Sequence, residues 1–204
     1  MTAGQTSQTI RAAQDCRKMA TIQFGEFILY NNAWGAEIGE PDTVQCISTF
    51  PSGEFGWNWS RPAPSNDVPL GPQVLWGRSP FTEDLVLTDK LPAAIASMIS
   101  LELYLDAYAN AEGKYNLSFD IFITVKAIEH AHVLAPTHEI MIWLLWTPGL
   151  ELPNVEDTIN DGHHNYQHRS GNGPHYPWKY IQFTIEKQQV PSRINILAFL
   201  HHLM

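Results

Sequence analysis

Residues 137–144 read "THEIMIWL". Their length and β-branched content describe a strand, and side chains on a strand alternate between two faces. On that alternation Ile140, Ile142 and Leu144 share one wholly apolar face, while Glu139, Met141 and Trp143 share the other. A carboxylate in line with a methionine and a tryptophan suits neither a dry core nor a plainly solvated skin.

The same two-faced pattern recurs along the chain. "LSFDIFIT" (117–124) sets Leu117, Phe119, Ile121 and Ile123 against Ser118, Asp120, Phe122 and Thr124. "LELYLDAY" (101–108) sets Leu101, Leu103 and Leu105 against Glu102, Tyr104 and Asp106, and "EFGWNWS" (54–60) lines up Phe55, Trp57 and Trp59. "WKYIQFTI" (178–185) opposes Ile181, Phe183 and Ile185 to Trp178, Tyr180, Gln182 and Thr184. Turn residues separate these runs, among them Pro-Ser-Gly at 51–53, "RPAPSNDVPLGP" at 61–72, "AEGK" at 111–114, "TPG" at 147–149 and "SGNGP" at 170–174. Short strands broken by turns predict an antiparallel all-β sandwich or barrel. One helix is predicted in "PSRINILAFLHHLM", with Ser192 as its N-cap and Ile194, Leu197 and Ala198 on one face. Residues 1–14 read as a flexible polar lead-in, and 15–204 as a single domain without repeat or linker.

Bulk properties narrow the function. The chain has 204 residues, enough for one sizeable core. Twelve basic against 21 acidic residues give a formal charge of −9, the wrong sign for nucleic acid or an anionic membrane. Charged residues make up only 16%, so uncharged polar groups must carry much of the surface. There is no apolar run long enough to span a bilayer and no apolar stretch near Met1 of the kind a signal peptide has. Two cysteines, Cys16 and Cys46, are read either as buried thiols or as one disulfide; a bridge would close a loop of about 30 residues and stabilise by roughly 3–4 kcal/mol.

The non-core faces carry tryptophan, tyrosine, amides and carboxylates together, a lining that suits a sugar chain: flat rings stack on pyranose C–H faces and polar groups meet the hydroxyls. In such a groove Glu139 and Asp120 form the carboxylate pair that glycoside hydrolysis needs. Two carboxylates held close together do not readily both ionise. The bland alternative makes Glu139 an exposed strand-start charge and pairs Asp120 with a nearby lysine or hydroxyl.

"NNAWG" (31–35), "FDIF" (119–122) and "EIMIWL" (139–144), in that order, resemble glycoside hydrolase family 12. "FGWNWS", "WKYIQF" and "SRINILAFLHHL" echo further strands and the helix of that family, so the resemblance runs from about residue 14 onward. It implies a concave jelly-roll sandwich of two antiparallel sheets with one C-terminal helix, and retaining endo-hydrolysis of β-1,4-glucosidic bonds in cellulose or related β-glucans. Glu139 would be the nucleophile and Asp120 its hydrogen-bonding neighbour; Asn32, Trp34, Met141, Trp143, Trp57 and Trp59 would bind substrate. A Cys16–Cys46 disulfide, a secreted monomer, a β-glucan partner and no cofactor or metal are also implied. The family's acid/base is a second glutamate in a Phe-Gly-Thr-Glu-like strand after the helix. This chain stops at "LAFLHHLM", so acid catalysis is expected to be impaired or relocated, at a cost of about 10²–10⁴-fold in rate. Glu186 is expected to be a solvated strand-end charge.

Two rival readings remain. A β-glucan-binding protein without turnover needs the same aromatics. A metal site would draw on His163, His164, His168 and His175, but the surrounding glycine and proline favour a polar loop, and no His-Glu-x-x-His pattern is present. The acceptor tripeptides at 58–60 and 116–118 fall inside predicted strands and are taken as chance matches.

Overall fold

The computed structural model describes residues 12–33, 43–60, 71–77, 91, 93–124, 136–152, 154–172 and 177–204. The chain forms two compact units, one of residues 1–79 with 84–91, the other of 80–83 with 92–204. The first holds β1 (Ala13–Asp15), β2 (Thr21–Phe24), β3 (Phe27–Tyr30), β4 (Val44–Thr49), β5 (Phe55–Ser60) and β6 (Gln73–Leu75). They make two three-stranded antiparallel sheets, β1-β4-β5 and β2-β3-β6. Strand β1 starts at Ala13, inside the segment expected to be lead-in.

Cys16 and Cys46 are joined in a disulfide that ties the end of β1 to β4. Next to it lies a buried amide pair. Asn31 Nδ2 donates to the carbonyl oxygens of Arg17 and Gln45, both at 2.9 Å, and Gln45 Nε2 donates to Asn31 Oδ1 at 2.8 Å. The first asparagine of "NNAWG" therefore joins strands, satisfying its own polar atoms as burial requires.

The second unit holds β7 (Glu102–Tyr104), β8 (Asn116–Ile123), β9 (His138–Trp146), β10 (Asp157–Asn160), β11 (Asn165–Asn172), β12 (Lys179–Ile185), β13 (Arg193–Asn195) and α1 (Ile196–His202). Five strands make one sheet in the order β10-β11-β12-β9-β8, and β13 pairs with β7. Three pairings of the five-stranded sheet are antiparallel, as expected, but β12 runs parallel to β9. Alternation is identical in both pairing modes, so the pattern of residues carries no sign of this.

One face of this sheet is the core. Ile140, Ile142, Phe183 and Tyr166 are fully buried, with Phe199 and Leu200 of α1 packed on them. Tyr166 and Phe183 each meet the Phe199 ring edge-on, at 4.8 and 4.9 Å between centroids. The helix is shorter than expected. Residues 193–195 are strand β13, and the N-cap is Asn195 rather than Ser192. The competing force is tertiary: Ile194 is buried opposite Leu103, and Arg193 grips Glu102 through two hydrogen bonds of 2.6 and 3.0 Å.

Part of the histidine-rich segment, Asn165–Asn172, is a strand rather than a loop, whereas His163 and His164 lie in the turn before it. His164 precedes β11 and His168 lies within it, so the two stand about 13 Å apart along the strand and cannot share an ion. His168 stacks on Phe183, with 4.9 Å between ring centroids. Among the described residues no group of three or more His, Cys, Asp or Glu side chains is arranged to hold a metal; His175 lies outside them. Between β10 and β11 the turn is fixed by Asp161, 1% exposed, whose Oδ1 accepts from the backbone N–H of His163 and of His164 at 2.8 and 2.7 Å. Its Oδ2 accepts from Asn195 N–H at 3.1 Å, which ties the turn to the start of α1.

Candidate active site

The opposite face of the five-stranded sheet carries the carboxylates. Register sets Asp120 of β8 opposite Met141 of β9, and Phe122 opposite Glu139. On the other side of β9, Tyr180 of β12 stands beside Glu139, and Gln182 beside Met141. Cross-strand partners point to the same face, so Asp120, Phe122, Glu139, Met141, Tyr180 and Gln182 form one contiguous patch. Within β8, β9 and β12, Asp120 and Glu139 are the carboxylates of that face.

Glu139 is half-buried. Its Oε2 accepts a hydrogen bond from Trp178 Nε1 at 2.7 Å, and Trp178 in turn meets Phe122 edge-on at 6.2 Å. Burial raises the Glu139 pKa, and the indole donor opposes that rise. Asp120 reaches solvent, but the protein around it removes part of its hydration. That desolvation, with the charge of Glu139, pushes its pKa up to about 7 against a lowering hydrogen bond from Ser118 Oγ at 3.0 Å. Both carboxyls of the pair are thus held above their ordinary pKa, and Asp120 is the one that the neighbouring charge raises further. Tyr180 donates its hydroxyl to Met141 Sδ at 3.0 Å, and burial together with both carboxylates keeps that phenol protonated.

A pH effect on stability follows from Asp120. Its native pKa lies above its ordinary value, so between about pH 4 and about 7 the native chain holds a proton that the unfolded chain releases. The unfolded state binds fewer protons there, and stability falls as pH rises through that window. Asp120→Asn removes this contribution. Urea midpoints measured at both ends should fall less in the variant than in the wild type; an equal fall would contradict the elevated pKa.

The expected substrate-binding residues divide. Met141 and Trp143 lie on the carboxylate strand, though Trp143 is only 7% exposed, leaving little of its ring for a ligand. Asn32, Trp57 and Trp59 lie in the other unit, where Trp59 is 37% exposed, and Trp34 falls outside the described residues. Glu186 is exposed just past the end of β12, with a hydrogen bond from Asn165 Nδ2 at 3.3 Å. Trp178 and Tyr180 belong to a strand that resembles one of the groove strands, but neither is among the expected site residues. The available signal was their shared parity with Gln182 at the head of a strand.

The chain matches no protein-family model. It is 27% identical over 146 residues to a probable xyloglucan-specific endo-beta-1,4-glucanase A of Aspergillus clavatus, covering 68% of this chain and 54% of that protein. It thus spans about half the length of that curated relative. A family 12 xyloglucanase from Bacillus licheniformis superposes with a TM-score of 0.81 at 22% identity, over 94% of this chain and 83% of its own. Endoglucanase cel12A from Rhodothermus marinus gives 0.74 at 20% identity, over 93% and 81%. The fold of this chain, mostly β-sheet with a helix at its C-terminal end, is therefore the β-jelly roll of the family 12 glycoside hydrolases.

Proposed function

We propose that this chain is a retaining endo-glycosidase that cuts β-1,4-glucosidic bonds within a β-glucan. The observation that carries this reading is the placing of a half-buried Glu139 and an exposed Asp120 together on the sheet face opposite the core, each with its own hydrogen-bond donor. In this chemistry the Glu139 carboxylate attacks the anomeric carbon and forms a glycosyl ester as the bond to the departing sugar oxygen breaks. That oxygen leaves with a proton from a general acid, and water then hydrolyses the ester. Asp120 tunes the charge of its neighbour, while Met141 and Tyr180 line the surface on which the reacting sugar lies.

The named relatives make xyloglucan the first substrate to try, beside barley-type mixed-linkage glucan and soluble cellulose derivatives. The decisive assay is release of reducing ends from these polymers, with proton NMR of the first-formed anomer. Appearance of the β-anomer first is expected. Initial formation of the α-anomer would exclude the retaining mechanism. Binding of the polymer without any cleavage would favour a glucan-binding protein of the same fold instead.

A further inference from the structure

The two carboxylates of the site receive different kinds of donor. Glu139 Oε2 is met by an indole N–H at 2.7 Å, and Asp120 Oδ1 by a serine hydroxyl at 3.0 Å. An indole nitrogen can only donate, and a hydrogen bond to an ionised oxygen is roughly twice as strong as one to a neutral oxygen. A hydroxyl adapts: Ser118 can donate to an ionised Asp120 or turn and accept from a protonated one. The donors therefore treat the two acids unequally.

Resting on the glycosidase reading above, we propose that Trp178 is a positioning residue that fixes the negative charge on Glu139 and leaves Asp120 the more readily protonated of the two. The indole is held from two sides. Its ring is braced edge-on by Phe122, the cross-strand partner of Glu139. Its backbone is anchored one residue on, where Lys179 N–H donates to the Thr137 carbonyl at 3.0 Å. Among the described residues, the ionisable groups that feel the charge of Glu139 are Asp120 from β8 and Tyr180 from β12. Tyr180 keeps its proton and points its hydroxyl hydrogen at Met141 Sδ, so it does not compete for the charge. This arrangement supplies what a nucleophile needs at a pH where one of the two acids must be protonated.

Trp178→Phe keeps an aromatic ring against Phe122 and deletes the N–H. In the variant the acid limb of the kcat/KM profile should move up by about one pH unit, and kcat at mildly acid pH should fall about tenfold, with KM changed by less than about twofold. An unmoved limb, or a rise in KM alone as for a sugar-stacking platform, would overturn the proposal. A second measurement needs no turnover: carbon-13 NMR titration of protein labelled at the Asp and Glu carboxyls. In the wild type Glu139 should ionise below Asp120, and in Trp178→Phe the gap should narrow or reverse. An identical Glu139 titration in both proteins sinks the inference even if the chain hydrolyses glucan. A narrowed gap in a chain that cleaves nothing sustains the inference and refutes the proposed function. Should the phenylalanine variant fail to fold, benzothienylalanine at position 178, which replaces the N–H by sulfur at nearly the same shape, carries the same two outcomes.

Discussion

Glu139→Gln should lower hydrolysis of β-glucan on the order of 10⁴-fold or more while leaving the fold intact. The amide matches the carboxylate in size, and its oxygen can still accept from Trp178, so thermal unfolding and near-ultraviolet spectra should be nearly those of the wild type. What is lost, on the proposed function, is the charge that would attack the anomeric carbon. An aryl β-cellobioside with a good leaving group, which departs without a proton, isolates this loss from any question of general acid. Glu139→Ala on that substrate should be rescued by azide, and the product should be the α-glycosyl azide, because azide enters from the face the carboxylate has vacated. A β-azide product, or wild-type activity in Glu139→Gln, would remove Glu139 from the nucleophile position. A side effect is also expected. Once Glu139 is uncharged, Asp120 should titrate lower than about 7 but not return fully to its ordinary value, because burial is the larger cause of its shift.

The largest stability effect is expected at Asp161→Ala. This buried carboxylate satisfies three backbone N–H groups, two in the β10–β11 turn and one at Asn195 beside α1. Each orphaned donor costs about 1–3 kcal/mol, and partial rehydration of the turn brings the sum to about 4 kcal/mol. Asp161→Asn keeps one acceptor oxygen but turns an NH₂ group toward one of the three donors, so about half that loss is expected. Urea unfolding of the three proteins would read both. A variant with alanine that unfolds within about 0.5 kcal/mol of the wild type would show that the turn and helix do not depend on this side chain.

Much of this was legible before any coordinates. Alternation alone separated Ile140, Ile142 and Leu144 from Glu139, Met141 and Trp143, and Phe119, Ile121 and Ile123 from Asp120, because burial of one sheet face imposes a period of two. What alternation cannot contain is register. That Asp120 falls opposite Met141, and that Trp178 reaches Glu139 across 39 residues, are products of strand docking. The end of the chain misled for a similar reason: "SRIN" has a respectable helix start, but pairing with β7 and the grip of Arg193 on Glu102 outweigh local preference. In "DGHHNYQHRSGNGPH", Tyr166 and His168 hide a core face behind polar letters, because a stacked imidazole fills the place of a hydrophobic ring. The "NDG" at 160–162 was the overlooked clue, an Asp-Gly turn between two strands. "NNAWG" holds two asparagines that look alike in sequence; only burial distinguishes Asn31, wholly enclosed, from the half-buried Asn32.

The parallel pairing of β12 with β9 has a consequence for how the molecule acquires its chemistry. Pairs such as β10–β11 and β11–β12 are antiparallel and close short or moderate loops, whereas a parallel pair must bring together segments far apart in the chain. Glu139 and its indole donor meet only across that seam. The hairpin parts of the sheet can therefore form as soon as they are synthesised, but Glu139, the proposed nucleophile, has no indole donor until the slow, non-local closure is made. Quenching of Trp178 fluorescence by the carboxylate would then report that closure, and on the proposed function the newly made chain stays inactive until it is complete.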